Sequence, residues 1–123
     1  PIACAAALAQ IREIEEHDLV GRAARLGEVL RERAQLWARS LPAVAGVRGR
    51  GLFTALVLRA AEGRTAREIA LASADEAARR GVLVLAEGSD LDVLALTPPA
   101  VITDAQLERA LDVLAAVLAT IRP

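Results

Sequence analysis

Apolar and polar positions follow a helical period over the first third of the chain, and the period changes at Val44. Residues Ile2 to about His17 read as a helix, alanine-rich at first and then charged through Arg12, Glu13, Glu15 and Glu16. Its first half is apolar almost all round, the pattern of a helix buried on more than one face. Asp18 can cap a second helix running to about Leu41. Its positions Leu19, Ala23, Leu26, Leu30, Ala34, Trp37 and Leu41 recur every three or four residues and make one stripe. Arg22, Arg25, Glu28, Arg31 and Glu32 fall off that stripe and are expected in solvent. Pro42 stops the helix, because the residue before a proline is pushed out of the α region. Residues 1–41 thus form a helical arm that needs a partner surface, and 44–123 a sheet with covering helices, within one domain.

Val44 to Gly51 holds three glycines and is too costly as a helix, at about 1 kcal/mol per interior glycine relative to alanine. Leu52 to Leu58 is a continuous apolar run of strand length, which predicts a buried strand. Glu62-Gly63 marks a turn. Thr65-Ala66-Arg67-Glu68 has the form of a capping box, opening a helix to Arg80 that stops at Gly81 in a left-handed C′ conformation. Val82 to Leu85 and Asp92 to Thr97 read as short strands around the turn residues Glu87 to Asp90, and Pro98-Pro99 closes the second. Thr103 to Gln106 is another capping box, and Leu107, Leu111, Leu114, Leu118 and Ile121 stripe the last helix. The predicted order is α-α-β-β-α-β-β-α. Its hairpin-length connections favour an α+β fold with a small antiparallel sheet flanked by helices.

Composition narrows the chemistry more than it identifies it. The chain has 123 residues, 54% hydrophobic and 25% charged, which describes one globular domain and excludes a disordered tail. Fifteen basic against 16 acidic residues argue against a nucleic-acid binder or a polybasic membrane module. No apolar run is long enough for a membrane span, and a lone cysteine makes the cytoplasm the default compartment. All the basic residues are arginine. Without lysine there is no Schiff-base amine and no phosphate-loop lysine. With His17 as the only histidine there is no multi-histidine metal site. A chain that opens Pro1-Ile2-Ala3-Cys4 without methionine reads as a piece of something longer.

Each candidate group has a plainer reading beside it. Gly46-x-x-Gly49-x-Gly51 resembles a phosphate loop, but a strand rather than a helix N-terminus follows, so a kinked strand in close backbone packing is preferred. Arg48 and Arg50 could pair with carboxylates or hold a partner surface, although such arginines usually just solvate a strand edge. His17 suits a helix C-terminus. Cys4 sits among alanines and is expected to behave as a small buried hydrophobe. Ser40, Ser73 and Ser89 lack a nucleophile elbow, and Glu87, Asp90 and Asp92 lack calcium-loop spacing. No catalytic, cofactor-binding or metal-ligating residue is assigned from the residues alone.

Four segments in order carry a resemblance: Pro1 to Ala9, Val47-Arg48-Gly49-Arg50-Gly51-Leu52, Arg80-Gly81-Val82-Leu83-Val84, and Leu96-Thr97-Pro98-Pro99-Ala100-Val101-Ile102-Thr103. Together they resemble the C-terminal small domain of class III pyridoxal-phosphate-dependent aminotransferases, which include the acetylornithine, ornithine and 4-aminobutyrate enzymes. The resemblance implies a parent enzyme that moves an amino group between an amino donor and a keto acid. It implies a homodimer, and a large catalytic domain of the same chain holding the pyridoxal phosphate, with none bound by these 123 residues. It also implies a substrate-carboxylate arginine three residues before the first proline of the pair. That position is Ala95, so the clamp is absent here and the substrate cannot be carried over. A racemase or epimerase of the same class, and a non-catalytic regulatory or interaction module, remain alternatives.

Overall fold

The computed structural model describes residues 1–122. Helices α1 (Ile2–Glu16) and α2 (Leu19–Ser40) lead into strands β1 (Val44–Arg50) and β2 (Phe53–Leu58). Then follow α3 (Ala66–Arg79), β3 (Leu85–Glu87), β4 (Val93–Leu96) and α4 (Asp104–Leu118). The sheet order is β1-β2-β4-β3, and every neighbouring pair is antiparallel. The expected α+β arrangement and element order are therefore both present, with β2 interior and the β3–β4 hairpin beside it.

Strand alternation explains the layering. Thr54, Leu56 and Leu58 of β2 and Leu94 and Leu96 of β4 are buried, and the apolar ones join Leu26, Leu30, Ile69, Leu107 and Leu111 of α2, α3 and α4 in one core. These helices cover one face of the sheet. Most of the α2 stripe reaches the core as predicted, with Leu26, Leu30, Ala34 and Trp37 buried, and so does every predicted residue of the α4 stripe. A row of arginine–carboxylate pairs then ties α2 to α4: Arg25 to Asp104 at 3.1 Å, and Arg33 to Asp112 and Glu108. These pairs are exposed and contribute little individually.

Local chemistry sets the helix ends. Both capping boxes form: the Thr65 and Thr103 hydroxyls accept from the backbone N–H of Glu68 and Gln106, whose side chains accept from the threonine N–H in return. At the end of α3, Gly81 adopts φ +84°, Gly81 N–H donates to Ala78 O, and Val82 N–H to Ala77 O. This is the paired C-terminal motif that a C′ glycine permits.

Several expectations are corrected. No residue of α1 is buried, because among the named elements it packs only against α2, and Cys4 is accordingly exposed rather than buried. The third strand starts at Leu85, not Val82, since Val82 is still tied to the end of α3 and strand pairing runs only from Leu85 to Glu87. The apolar run Leu52 to Leu58 becomes a strand only from Phe53, with buried Leu52 in the turn, and the strand is buried on one face only, since Phe53 is exposed and Ala55 and Val57 are half-buried. Arg22 is not simply solvated: its Nε donates to Ala100 O at 3.0 Å and its Nη2 to Ile102 O, with Asp104 3.5 Å away.

Candidate functional site

The face of the sheet turned away from α2, α3 and α4 is where the sequence-singled residues meet. Directly paired residues on neighbouring strands share a face. Arg48 pairs with Ala55, Ala55 with Ala95, and Ala95 with Leu85, so these four residues form one row across all four strands. On one side lies the row Gly46, Val57, Val93 and Glu87; on the other, Arg50 pairs with Phe53. Phe53 is 71% exposed and Leu85 63%. Ala95 is only 6% exposed, flanked by β2 and β3 in the middle of the row. The result is a shallow trough floored by two alanines, with Phe53 standing on one side and the Val57–Val93 pair on the other.

Arg48 and Arg50 open this face, are exposed, and have no ion pair among the described residues. The glycines around them are structural. Gly49 has φ +119° and Gly51 φ +56°, and a Cβ on Gly49 would overlap the Phe53 carbonyl. The β1 register slips between Val44 and Gly46, giving the kinked, tightly packed strand that the glycines suggested. This is hairpin geometry, with strand β2 rather than a helix following the glycines, so it is not a phosphate cradle.

The remaining candidates are dispersed. His17 lies at the end of α1, its Nδ1 3.2 Å from Glu13. Ser40 Oγ donates to Leu36 O at 2.8 Å, Ser73 is buried in α3, and Ser89 is exposed in a turn. Two carboxyls are held below the usual glutamate range, both on α3. Thr65 backbone and side-chain hydrogen bonds lower Glu68, and Arg80 and Arg79 lower Glu76. They serve the helix rather than a reaction. A groove of about 740 Å³ runs between Val82–Val84, Pro98–Pro99 and α4, with Arg109 as its one titratable side chain. Among the described residues no three His, Cys, Asp or Glu side chains gather as a metal site. No helix there is long and apolar enough to cross a membrane.

Sequence reasoning missed Ala55. Its signal was the parity of Phe53, Ala55 and Val57 within a run that reads as uniformly apolar.

The sequence of residues 1–118 matches the family model described as aminotransferase class-III. The chain belongs to that family. Class-III relatives include the ornithine aminotransferase of Emericella nidulans, 31% identical over 121 residues, which span 97% of this chain and 25% of that protein. The 4-aminobutyrate aminotransferase of Mycobacterium bovis is 35% identical over 121 residues, 97% of this chain and 27% of that protein. Among solved structures, a phospholyase from Arthrobacter in complex with phosphoethanolamine superposes with a TM-score of 0.92 at 30% identity, covering 99% of this chain and 29% of that one. The chain thus spans about a quarter of the length of the curated class-III relatives it matches.

Class-III aminotransferases use pyridoxal phosphate. The residues of this chain do not fit that group: there is no lysine to form the imine, and the glycine segment is a hairpin without an anion-binding helix end. What the chain does offer is a sheet face bearing Arg48 and Arg50, neither of them ion-paired among the described residues.

Proposed function

We propose that this chain is the C-terminal small domain of a pyridoxal-phosphate-dependent aminotransferase that moves an amino group from an amine donor to a keto acid. One observation carries the reading: a family match over nearly the whole chain coexists with a complete lack of lysine. The domain supplies scaffold and substrate contacts, while the large catalytic domain of the same chain supplies the cofactor lysine. Residues 1–41 and 44–123 act within that one domain, and α1, with no buried residue, carries exposed Ile2, Leu8 and Ile11 for packing against the large domain. A cytoplasmic homodimer working on small-molecule amino donors and keto acids follows from the same family reading.

The open sheet face is the part that meets the substrate. Ala95, at the centre of the alanine row, stands where the family resemblance places the carboxylate arginine, so selection of the donor rests on other residues. A second reading is favoured by the Arthrobacter phospholyase, whose bound phosphoethanolamine is an amine without a carboxylate. In that case the reaction is an elimination, in which the amine-bearing carbon loses a proton as the neighbouring C–O bond to phosphate breaks, and water converts the resulting enamine to an aldehyde and ammonia; it is read as phosphate release.

The test treats the 123-residue chain and the longer protein with pyridoxal phosphate and borohydride, then maps the adduct by mass spectrometry. The reading expects an adduct on one lysine of the longer protein and none on a side chain of the 123 residues. A side-chain adduct within the 123 residues would overturn it.

A further inference from the structure

We propose that Arg48 is a specificity-determining residue that binds the anionic group of an amine substrate lying over the Ala55–Ala95 trough. The inference rests on the reading of the open face as substrate-facing, and goes beyond it by naming the cation and the class of group it holds.

Register carries the argument. Arg48 and Ala95 occupy the same row, two strand spacings or about 9–10 Å apart, with Ala55 between them. An arginine stem lies readily along apolar surface while its head stays in water. Laid over the methyl group of Ala55, the Arg48 side chain carries its guanidinium toward the space that a side chain at position 95 would otherwise fill. A bulky residue at 55 or 95 would obstruct that path, and both are alanine. Arg50 lacks the same route, because its direct partner is Phe53, which stands up from the sheet. Glu87 is one row away and on the opposite edge strand, where it discourages the anion from binding at the far end of the trough.

The chemistry also favours an external anion. Arg22, Arg25, Arg33, Arg79 and Arg80 are engaged with carboxylates, and Arg59 and Arg64 with backbone carbonyls. Arg48 shares the lack of such a partner with seven other arginines among the described residues, and it is the one of them that lies in the Ala55–Ala95 row. A guanidinium can bind a carboxylate or a phosphate through two parallel N–H donors, so the shared chemistry is a planar or tetrahedral oxyanion on the amine.

The experiment uses the longer protein that contains this chain. It compares wild type, Arg48→Ala, Arg48→Gln and Arg48→Lys with three amines: an ω-amino acid, phosphoethanolamine, and a simple alkylamine. Calorimetry measures binding of propionate and ethylphosphonate, anions without an amine, to the same proteins, and thermal unfolding checks that each variant is folded. The ratio of kcat/KM for the preferred anionic amine over the alkylamine is expected to fall about ten- to hundredfold in Arg48→Ala and Arg48→Gln. Arg48→Lys should restore part of it, and the affinity for the matching anion should fall in parallel. Propionate against ethylphosphonate separates a carboxylate from a phosphate. Equal losses with all three amines, or an unchanged ratio and unchanged anion affinity, overturn the assignment. If no amine is converted but anion binding still depends on Arg48, the enzymatic reading fails and the anion site stands. If amines are converted with the ratio unmoved by the variants, the reverse holds.

Discussion

Gly27 of α2 and Gly51 of the β1–β2 turn pack backbone against backbone: a Cβ on Gly27 would overlap the Cα and carbonyl of Gly51. This contact seats α2 on the hairpin that carries Arg48 and Phe53. Gly27→Ala should therefore cost about 1–3 kcal/mol through overpacking, read as a lower Tm. Gly46→Ala is the comparison, since a Cβ there meets nothing within 4 Å. Equal destabilisation by the two substitutions would mean that the α2–hairpin contact is looser than described.

Arg22 joins α2 to the loop that follows β4 through Ala100 O and Ile102 O. Removing it with Arg22→Ala leaves two carbonyls without that donor and should cost about 1.5–3 kcal/mol, as for hydrogen bonds to a charged group. Hydrogen exchange should speed up in residues 97–103 more than in β1. Exchange that rises uniformly, or not at all, would show that Arg22 does not hold this loop.

Acid should loosen α3 first at its ends. Glu68 and Glu76 titrate below their ordinary value in the folded chain because Thr65, Arg80 and Arg79 bond the ionised carboxyls. Their contribution is fully present above the unfolded carboxyl value, about pH 4.3, and is lost as pH falls below it through the depressed folded values. Glu68→Gln and Glu76→Gln should each flatten the acid side of the stability profile. A profile unchanged by both substitutions contradicts the assignment.

Ala95→Arg in the longer protein tests what the trough faces. A guanidinium there takes the space that Arg48 would otherwise reach and replaces it as the anion's donor, so kcat/KM toward α-amino acids should shift several-fold relative to an amine lacking a carboxylate. The same change for both substrates in a stable variant would place Ala95 away from the carboxylate.

Features built from neighbours three or four residues apart were readable in advance. The Thr65–Glu68 and Thr103–Gln106 boxes, the Gly81 stop and the α2 and α4 stripes depend on spacing alone, and spacing is written in the chain. What escaped depends on distant partners. The Arg22 acceptors lie 78 and 80 residues away. The third strand begins where β4 pairs with it rather than where β-forming residues begin. The apolar first half of α1 reads as buried because composition records hydrophobicity but not which surface covers it. The trough was hidden for the same reason: Arg48, Ala55 and Ala95 come together only through strand register, which a one-residue slip would reverse.

The most direct measurement of the central claim is amino transfer to a keto acid, assayed side by side for the longer protein and for these 123 residues alone, each supplied with pyridoxal phosphate. The account predicts new amino acid formed by the longer protein and none by the lysine-free chain. Transfer catalysed by the 123 residues alone, or none by the longer protein across carboxylated, phosphorylated and simple amines, would contradict it.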